Sequence, residues 1–181
     1  MAKQPAPVRR VLTGIDAAGR ARIIEDDLAK AVRTIAARPG YRVTNLWATH
    51  GSPAPIGDPD RVGEVSGVLP PKNGTVVRII DYPPEPKDAA ERERMARASF
   101  ATLFPDAAHH PEGGPHPGMH ETETVDYALV MNGEIFAIMD EGETLLQAGD
   151  VLIQRGTNHA WSNRTDESCC IAFVLIDAEP V

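Results

Sequence analysis

The chain has 181 residues and a formal net charge of −8, from 26 acidic and 18 basic residues. A chain of this length fits one domain and buries roughly 70% of the surface that it would expose when unfolded, so it needs neither a disulfide nor a structural metal to fold. The acidic balance argues against nucleic acid as a partner, because phosphate binding requires a concentrated basic face.

The N-terminal half combines short predicted elements with turns. Two apolar patches around a central turn in residues 9–24 predict a β-hairpin. A short helix is predicted to start at a cap on Asp26 or Asp27, to carry apolar residues between 28 and 35 on one face and to stop at Pro39-Gly40. Residues 41–49 and 75–82 have the character of strands. Residues 50–74 are rich in proline and glycine and are predicted to form a long loop.

A second helix and a series of strands follow. Asp88, followed three residues later by Glu91, matches a capping box and predicts a helix that extends to residue 104. From residue 119 onward the sequence predicts only strands, with glycine at most of the turns: 119–130, 134–140, 143–147, 150–154, 158–163 and 169–177. The predicted fold class is therefore all-β with one or two short helices.

The cysteines and the N-terminal segment bear on the cellular compartment. Cys169 and Cys170 are adjacent and point to opposite faces of a strand, so a bridge between them would be badly strained. Two reduced cysteines are typical of a cytosolic protein. The segment MAKQPAPVRRV lacks the apolar core of a signal peptide, and no run approaches the length of a membrane helix. We therefore expect a cytoplasmic protein without a membrane partner.

Side chains suited to metal binding share one face of the strand predicted at residues 119–130. Four residues at alternate positions point the same way: His120, Thr122, Thr124 and Asp126. Glu121 and Glu123 point the other way, and His159 on a later strand can approach the first face. Two histidines and one carboxylate match the facial set that binds iron(II) with open positions, and they also suit zinc or manganese.

With these residues in place, the segment 113–177 resembles the cupin superfamily. The usual first cupin motif is G-x5-H-x-H-x3-4-E-x6-G. Asp126 stands where the motif has its glutamate, since six residues separate it from Gly133, and His120 falls on the first histidine. Thr122 falls on the second histidine, which is a departure from the usual metal-binding pattern.

The end of the segment is similar to the second cupin motif, G-x5-P-x-G-x2-H-x3-N. Gln154 takes the place of the proline, with one residue fewer before it, and four residues match the motif: Gly149, Gly156, His159 and Asn163. Fifteen residues separate Gly133 from Gly149, a usual interval in this superfamily. The resemblance implies a cupin-type antiparallel β-barrel, or jelly roll, with residues 113–178 as its core.

The rest of the chain is predicted to extend this barrel. Residues 1–112 form an N-terminal extension packed on it, which comprises edge strands, the long loop and the helix at 88–104. Strands at the edge of a barrel leave unpaired backbone groups that a partner strand commonly covers. Cupin barrels that resemble this one usually pair, so a homodimer is expected.

The resemblance also implies a cofactor. His120, Asp126 and His159 are the predicted ligands of one divalent transition metal ion, which is zinc, iron or manganese. Three ligands suffice for a catalytic metal, because such a site keeps a position open for water or substrate. The threonine at position 122 leaves the alternative open, since many cupins have lost their metal.

Further residues are candidates for lining a pocket around this site: Thr122, Thr124, Arg155 and Trp161. Trp161 lies two residues after His159 and points to the same face of the strand, where it can form part of a cavity wall. An ordinary core position also explains it. Arg155 lies at the turn before His159, where it either receives an anionic substrate or stays solvated. His116 lies in the loop GGPHPG and is expected to be exposed.

The functions that remain open belong to different classes. The favoured interpretation is a metal-dependent cupin enzyme that acts on a small organic molecule by Lewis-acid chemistry, as a lyase, dehydratase or isomerase. One alternative is a non-heme metal dioxygenase, and another is a metal-free cupin that binds a small ligand without catalysis. A transcription regulator is disfavoured because the sequence has no helix-turn-helix pattern with basic recognition residues. No catalytic residue is assigned beyond the ligand set.

Overall fold

Strands dominate the structure, a computed structural model that describes residues 5–112 and 114–180. The strands are β1 (Arg9–Ile15), β2 (Ala21–Leu28), β3 (Val32–Thr34), β4 (Arg42–Thr49), β5 (Thr75–Tyr82), β6 (Ala108–His109), β7 (His120–Glu121), β8 (Thr124–Asn132), β9 (Glu134–Met139), β10 (Glu143–Gln147), β11 (Val151–Arg155), β12 (His159–Ser162) and β13 (Cys169–Asp177). Within the described ranges the helical elements are one α-helix, α1 (Ala89–Leu103), and one 3-10 turn at Val62–Glu64.

Two sheets enclose the core, and a separate hairpin lies beside them. The larger sheet has six strands in the order β11-β8-β13-β5-β4-β3, and the smaller has five in the order β10-β9-β12-β7-β6. Strands β1 and β2 pair only with each other, and all pairings are antiparallel. Buried side chains from both sheets, such as Ile80 and Phe173 on one and Ile135 and Trp161 on the other, form one core. The predicted all-β antiparallel barrel is confirmed.

The N-terminal half contributes more to the sheets than edge strands. Strand β5 lies between β13 and β4, and it pairs with β13 from Thr75 opposite Ile176 to Tyr82 opposite Cys169. Strands β3 to β5 belong to the larger sheet and β6 to the smaller, so both sheets contain strands from either side of residue 112. The sequence alone could not show that β5 is an interior strand, because an apolar run looks the same at an edge and at the centre of a sheet.

The helix predicted over residues 28–35 is wrong. Strand β2 ends at Leu28, and Val32 begins strand β3, which pairs with β4. Val32, Thr34 and Ile35 are β-branched and favour a strand, and the strand that pairs with this region follows it in the sequence. Val32 on β3, for example, lies opposite Thr44 on β4.

Helix α1 begins as the sequence predicts and lies across one end of the core. The side chain of Asp88 accepts a hydrogen bond of 2.8 Å from the backbone N–H of Glu91, which caps the first turn. The buried face of the helix carries Ala96, Ser99 and Leu103. No helix in the described part of the chain is long and apolar enough to cross a membrane.

The strand predicted at 119–130 is divided between the two sheets. Strand β7 belongs to the smaller sheet and β8 to the larger, and the chain passes from one to the other at residues 122–123. Alternation holds across this break, since Thr122, Thr124 and Asp126 are buried while Glu121 and Glu123 are exposed. A single segment therefore delivers His120 from one sheet and Asp126 from the other to the space between them.

Candidate active site

A cavity lies between the two sheets, beneath helix α1. Its internal volume of about 80 Å³ is room for several water molecules or part of a small organic molecule. The walls include aromatic side chains from both sheets and from the helix, among them Tyr82, Phe100, Trp161 and Phe173. Polar groups also converge on it: Arg78, Glu85, His116, His120, Asp126 and His159. A mainly apolar cavity with a few convergent polar groups is the usual form of a small-molecule site.

The two predicted histidine ligands lie side by side. His120 on β7 is the direct cross-strand partner of His159 on β12, and their ring centroids are 4.2 Å apart. Nδ1 of His120 lies 3.0 Å from the carbonyl oxygen of Gly118, and Nδ1 of His159 lies 2.9 Å from that of Thr157. A carbonyl oxygen can only accept, so each Nδ1 carries the proton and each Nε2 keeps a lone pair.

Burial keeps both imidazoles neutral. Loss of hydration lowers the pKa of His159 to about 4, although backbone contacts favour the charged form. The pKa of His120 lies well below its ordinary value, first because of burial and then because of the neighbouring His159. Near neutral pH the pair therefore offers two lone pairs and no charge.

Asp126 is the buried acid of the cavity. Its side chain is 5% exposed, and Oδ1 has no hydrogen-bond partner among the described residues. Burial raises the pKa of this carboxyl to about 6, while a contact with Thr124 and the charge of Arg78 act in the opposite direction. A carboxyl of this kind exchanges its proton close to neutral pH, which is characteristic of functional sites.

Arg78, which the sequence analysis did not single out, is also buried in the cavity wall. The residue is 1% exposed, and its Nη1 donates a hydrogen bond of 3.1 Å to the carbonyl oxygen of Gly67. Nε and Nη2 have no partner among the described residues. Burial lowers the pKa of Arg78 to about 10. The signal available in the sequence was the single charge inside the apolar run TVVRII of strand β5.

His116 is a cavity residue and not the exposed loop histidine that the sequence predicted. Its side chain is 11% exposed, and Nε2 lies 3.1 Å from Oε1 of Glu85. The backbone N–H of Gly118 donates to Nδ1 at 3.0 Å, so the ring proton is on Nε2, toward the carboxylate. Glu85 accepts a hydrogen bond of 2.6 Å from Ser162, which ties the loop between β5 and α1 to β12. These long-range contacts bury a histidine whose local sequence is typical of a loop.

The predicted pocket residues divide into three groups. Thr122 and Trp161 line the cavity, and the ring of Trp161 lies edge-on to His159 with centroids 5.9 Å apart. Thr124 is buried behind them, with its hydroxyl 2.7 Å from that of Thr122. Arg155 is exposed and does not line the cavity, because alternation on β11 turns Gln154 inward and Arg155 outward.

Of the three predicted metal ligands, only His120 and His159 have the surroundings expected of a metal-bound residue. A metal-bound histidine usually donates its second N–H to a carbonyl oxygen or a carboxylate, and both His120 and His159 meet this condition. Among the described residues, however, no three His, Cys, Asp or Glu side chains are grouped closely enough to hold a metal ion. Asp126 is one methylene shorter than the glutamate of the cupin motif, and Thr122 replaces a histidine. The predicted ligands share the cavity without forming a three-residue cluster.

Comparison with known proteins finds some relatives that match a short segment of the chain and others that match nearly all of it. No family model matches the chain. The phomopsin biosynthesis cluster protein C' of Diaporthe leptostromiformis is 46% identical over 65 residues, which are 35% of this chain and 34% of that protein. This match thus spans about a third of the relative's length.

Two further relatives align over nearly the whole chain. The cupin-domain-containing oxidoreductase virC of Hypocrea virens is 28% identical over 188 residues, which cover 98% of this chain and 81% of that protein. The cupin-domain-containing oxidoreductase fogC of Aspergillus ruber is 25% identical over 182 residues, which cover 96% and 74%. These relatives, the two antiparallel sheets and the spacing of both motifs support the resemblance of the chain to the cupin superfamily.

Proposed function

We propose that the cavity is the active site of a cupin enzyme that moves a proton to or from a small organic molecule. The reaction class is an elimination or an isomerisation, as in a lyase, dehydratase or isomerase. The observation that carries this proposal is Asp126, a buried carboxyl with a pKa raised to about 6, in the same cavity as two neutral imidazoles. Its Oδ1 accepts no hydrogen bond from the residues that the structure describes.

Each polar group has a role that follows from its state. Asp126 acts as general base when ionised and as general acid when protonated, and a pKa near the working pH makes both forms accessible. The Nε2 lone pairs of His120 and His159 accept hydrogen bonds from a substrate hydroxyl or enol and so orient it. Trp161 and Phe100 exclude water from the bound substrate.

The full-length relatives support an enzyme. Both are described as cupin-domain-containing oxidoreductases, and their alignments cover most of this chain. Fold alone carries no activity, since cupin-like barrels host many functions. The buried acid and the neutral histidine pair therefore supply the chemical argument, and the names of the relatives add weight to catalysis over simple ligand storage.

A metal-dependent enzyme is the second candidate, and the orientation of the histidines favours it. With Nδ1 bonded to carbonyl oxygens, the Nε2 atoms of His120 and His159 would hold a zinc, iron or manganese ion, while Asp126 lines the same cavity. Such an ion, when bound, would supply Lewis acidity or, as in dioxygenases, a binding site for oxygen. In either case Asp126 would still hold or release a proton next to the substrate.

Hydrogen exchange in heavy water tests the proposal with simple model compounds in place of the natural substrate. The protein would be incubated with a panel of small ketones, aldehydes and hydroxy acids, some aromatic, and deuterium uptake at carbon followed by NMR. We expect the wild type to accelerate exchange next to the carbonyl of at least one compound. Asp126→Asn should abolish this acceleration. Glu123→Gln, which removes an exposed carboxylate from the opposite face of the same segment, should leave it unchanged.

Chelation separates the two candidates and the non-catalytic alternative. Exchange that survives treatment with a chelator supports proton transfer by the protein's own residues. Exchange that disappears and returns with added zinc, iron or manganese supports the metal-dependent enzyme. If compounds bind but none exchanges under either condition, the ligand-binding module without catalysis replaces both.

A further inference from the structure

Arg78 carries a positive charge that the described protein atoms leave incompletely bonded. Of its guanidinium nitrogens, only Nη1 has a hydrogen-bond partner among the described residues, the carbonyl oxygen of Gly67 at 3.1 Å. Burial of an arginine at 1% exposure is costly unless its donors are satisfied. The cavity is the space that this side chain lines.

The two unpartnered nitrogens form one edge of the guanidinium. Nε–H and one Nη2–H point in parallel, and this edge matches the two oxygens of a carboxylate. The same chain uses this edge twice on its surface. Arg9 donates from Nε and Nη2 to the two oxygens of Asp26 at 2.6 and 2.7 Å, and Arg10 donates in the same way to Glu25 at 2.7 and 2.9 Å.

The acidic side chains in the cavity do not fill this role. Glu85 is engaged by Ser162 at 2.6 Å and approached by His116 at 3.1 Å. Asp126 shares the cavity with Arg78, yet its Oδ1 and the Nε–Nη2 edge are each without a hydrogen-bond partner in the described structure. The Nε–Nη2 edge of Arg78 is therefore buried without a carboxylate partner among the described residues of the chain.

The space around this edge suits a flat molecule. Trp161 stands at 79° to Phe173 with ring centroids 5.4 Å apart, and it lies 6.4 Å from Tyr82 at 44°. All three rings line the cavity. Aromatic faces and edges in this arrangement make good contacts with a planar unsaturated body.

We propose that the cavity selects small planar carboxylic acids, with the substrate carboxylate bound to the Nε–Nη2 edge of Arg78 and the unsaturated body among Tyr82, Trp161 and Phe173. This inference rests on the proposed function and names the class of its substrate. Arg78 binds one end of the molecule and thereby positions the other end for proton transfer at Asp126.

Calorimetric titration with matched probes tests the proposal. Benzoate and benzamide have the same shape, but only benzoate carries a charge, and cyclohexanecarboxylate has the charge without the flat ring. We expect benzoate to bind at least about 10-fold more tightly than benzamide, since a charge-assisted bidentate contact is lost in the amide. Benzoate should also bind more tightly than cyclohexanecarboxylate. Equal affinities for benzoate and benzamide, or no binding of benzoate at millimolar concentration, would overturn the proposal.

Variants assign the preference to Arg78. Arg78→Met should reduce the benzoate-to-benzamide ratio to near unity, and Arg78→Lys should retain only part of it because a lysine lacks the two-pronged edge. Arg155→Met, which removes an exposed arginine outside the cavity, is the matched control and should keep the full ratio. A full ratio in Arg78→Met contradicts the assignment. If Arg78→Met does not fold, the wild-type ratio and Arg78→Lys still decide.

Binding and exchange can fail separately. Selective binding of benzoate through Arg78 without deuterium exchange of any compound would leave the acid-binding site and remove the proposed catalysis. Exchange of neutral ketones by a protein that does not prefer acids would leave the catalysis and remove the role of Arg78.

Discussion

The cavity and the N-terminal hairpin depart from the usual distribution of side chains in opposite ways. In the cavity, Arg78 and Asp126 are buried with polar atoms that have no hydrogen-bond partner in the described part of the chain. On the hairpin β1–β2, apolar side chains are exposed by about half or more: Val11 45%, Ile15 70%, Ile23 58%, Ile24 56% and Leu28 51%. Buried polar groups require partners, and clustered exposed apolar groups mark contact surfaces. We therefore expect both regions to contact something outside the chain, a small ligand at the cavity and a protein surface at the hairpin.

The largest expected effect is on the chemistry of the cavity. Asp126→Asn should lower the deuterium exchange rate by about 10²–10⁴-fold, the usual contribution of a positioned general acid or base. Glu123→Gln should change it little. An Asp126→Asn protein with the wild-type rate would show that the buried polar groups of the cavity are not there for proton transfer.

The next largest effect is expected on the pH dependence of the free energy of unfolding in metal-free protein. Asp126 and His159 change this dependence in opposite directions. The folded-state pKa of Asp126, about 6, exceeds its ordinary value of 3.8, so its contribution to stability is full below 3.8 and is lost as pH rises through 6. From pH 4 to pH 7, Asp126→Asn should therefore gain about 2 kcal/mol of stability relative to the wild type. Urea unfolding at both pH values measures the difference.

The contribution of His159 to stability changes with pH in the opposite direction to that of Asp126. Its folded-state pKa of about 4 lies below the ordinary 6.5, so its contribution is full above 6.5 and is lost as pH falls through 4. The stability of the wild type relative to His159→Gln should decrease over that range in the same urea series. A difference that does not vary with pH would mean that the imidazole is not held neutral by burial.

The exposed apolar face of the hairpin predicts a homodimer. A single charged side chain placed on this face should prevent the dimer from forming. Ile23 lies opposite Thr13, on the face that also carries Val11 and Ile15. We expect light scattering to give twice the chain mass of 19.5 kDa for the wild type and a lower mass for Ile23→Glu. Ile56→Glu, at a loop residue that is 96% exposed, is the control and should stay dimeric. A monomeric wild type at micromolar concentration would refute the dimer.

The smallest effect is expected for an exposed ion pair on the same face of the hairpin. Arg9 pairs with Asp26 at 2.6 Å, but their side chains are 67% and 43% exposed. Exposed ion pairs add little to stability because water and salt screen them. Arg9→Ala should leave the midpoint of thermal unfolding unchanged within error. A clear loss of stability would indicate that this pair is buried in an assembly.

Local periodicity predicted much of the site, because alternation along a strand is a property of neighbouring residues. It placed Thr122 and Asp126 inward and the glutamates at 121 and 123 outward, as observed. It also located the cap of helix α1 at Asp88. It failed at residues 28–35, where pairing between distant strands decides the structure.

The rest of the site depends on contacts that no local pattern encodes. Arg78 lines the cavity from β5, an interior strand, and His116 lines it next to Glu85, with Nε2 3.1 Å from Oε1. Arg155 does not line the cavity, because on β11 the side chain of Gln154 points inward and that of Arg155 points outward. The resemblance to cupins supplied His120 and His159, but it could not show whether the shorter side chain of Asp126 joins them.

The most direct test of the central claim is a carbon NMR titration of the Asp126 carboxyl in protein treated with a chelator, with Asp126→Asn used to assign the signal. The account predicts a midpoint near 6, as expected for a buried acid poised for proton transfer. A midpoint at or below the ordinary 3.8 would contradict it, since Asp126 would then be a fully paired or hydrated carboxylate.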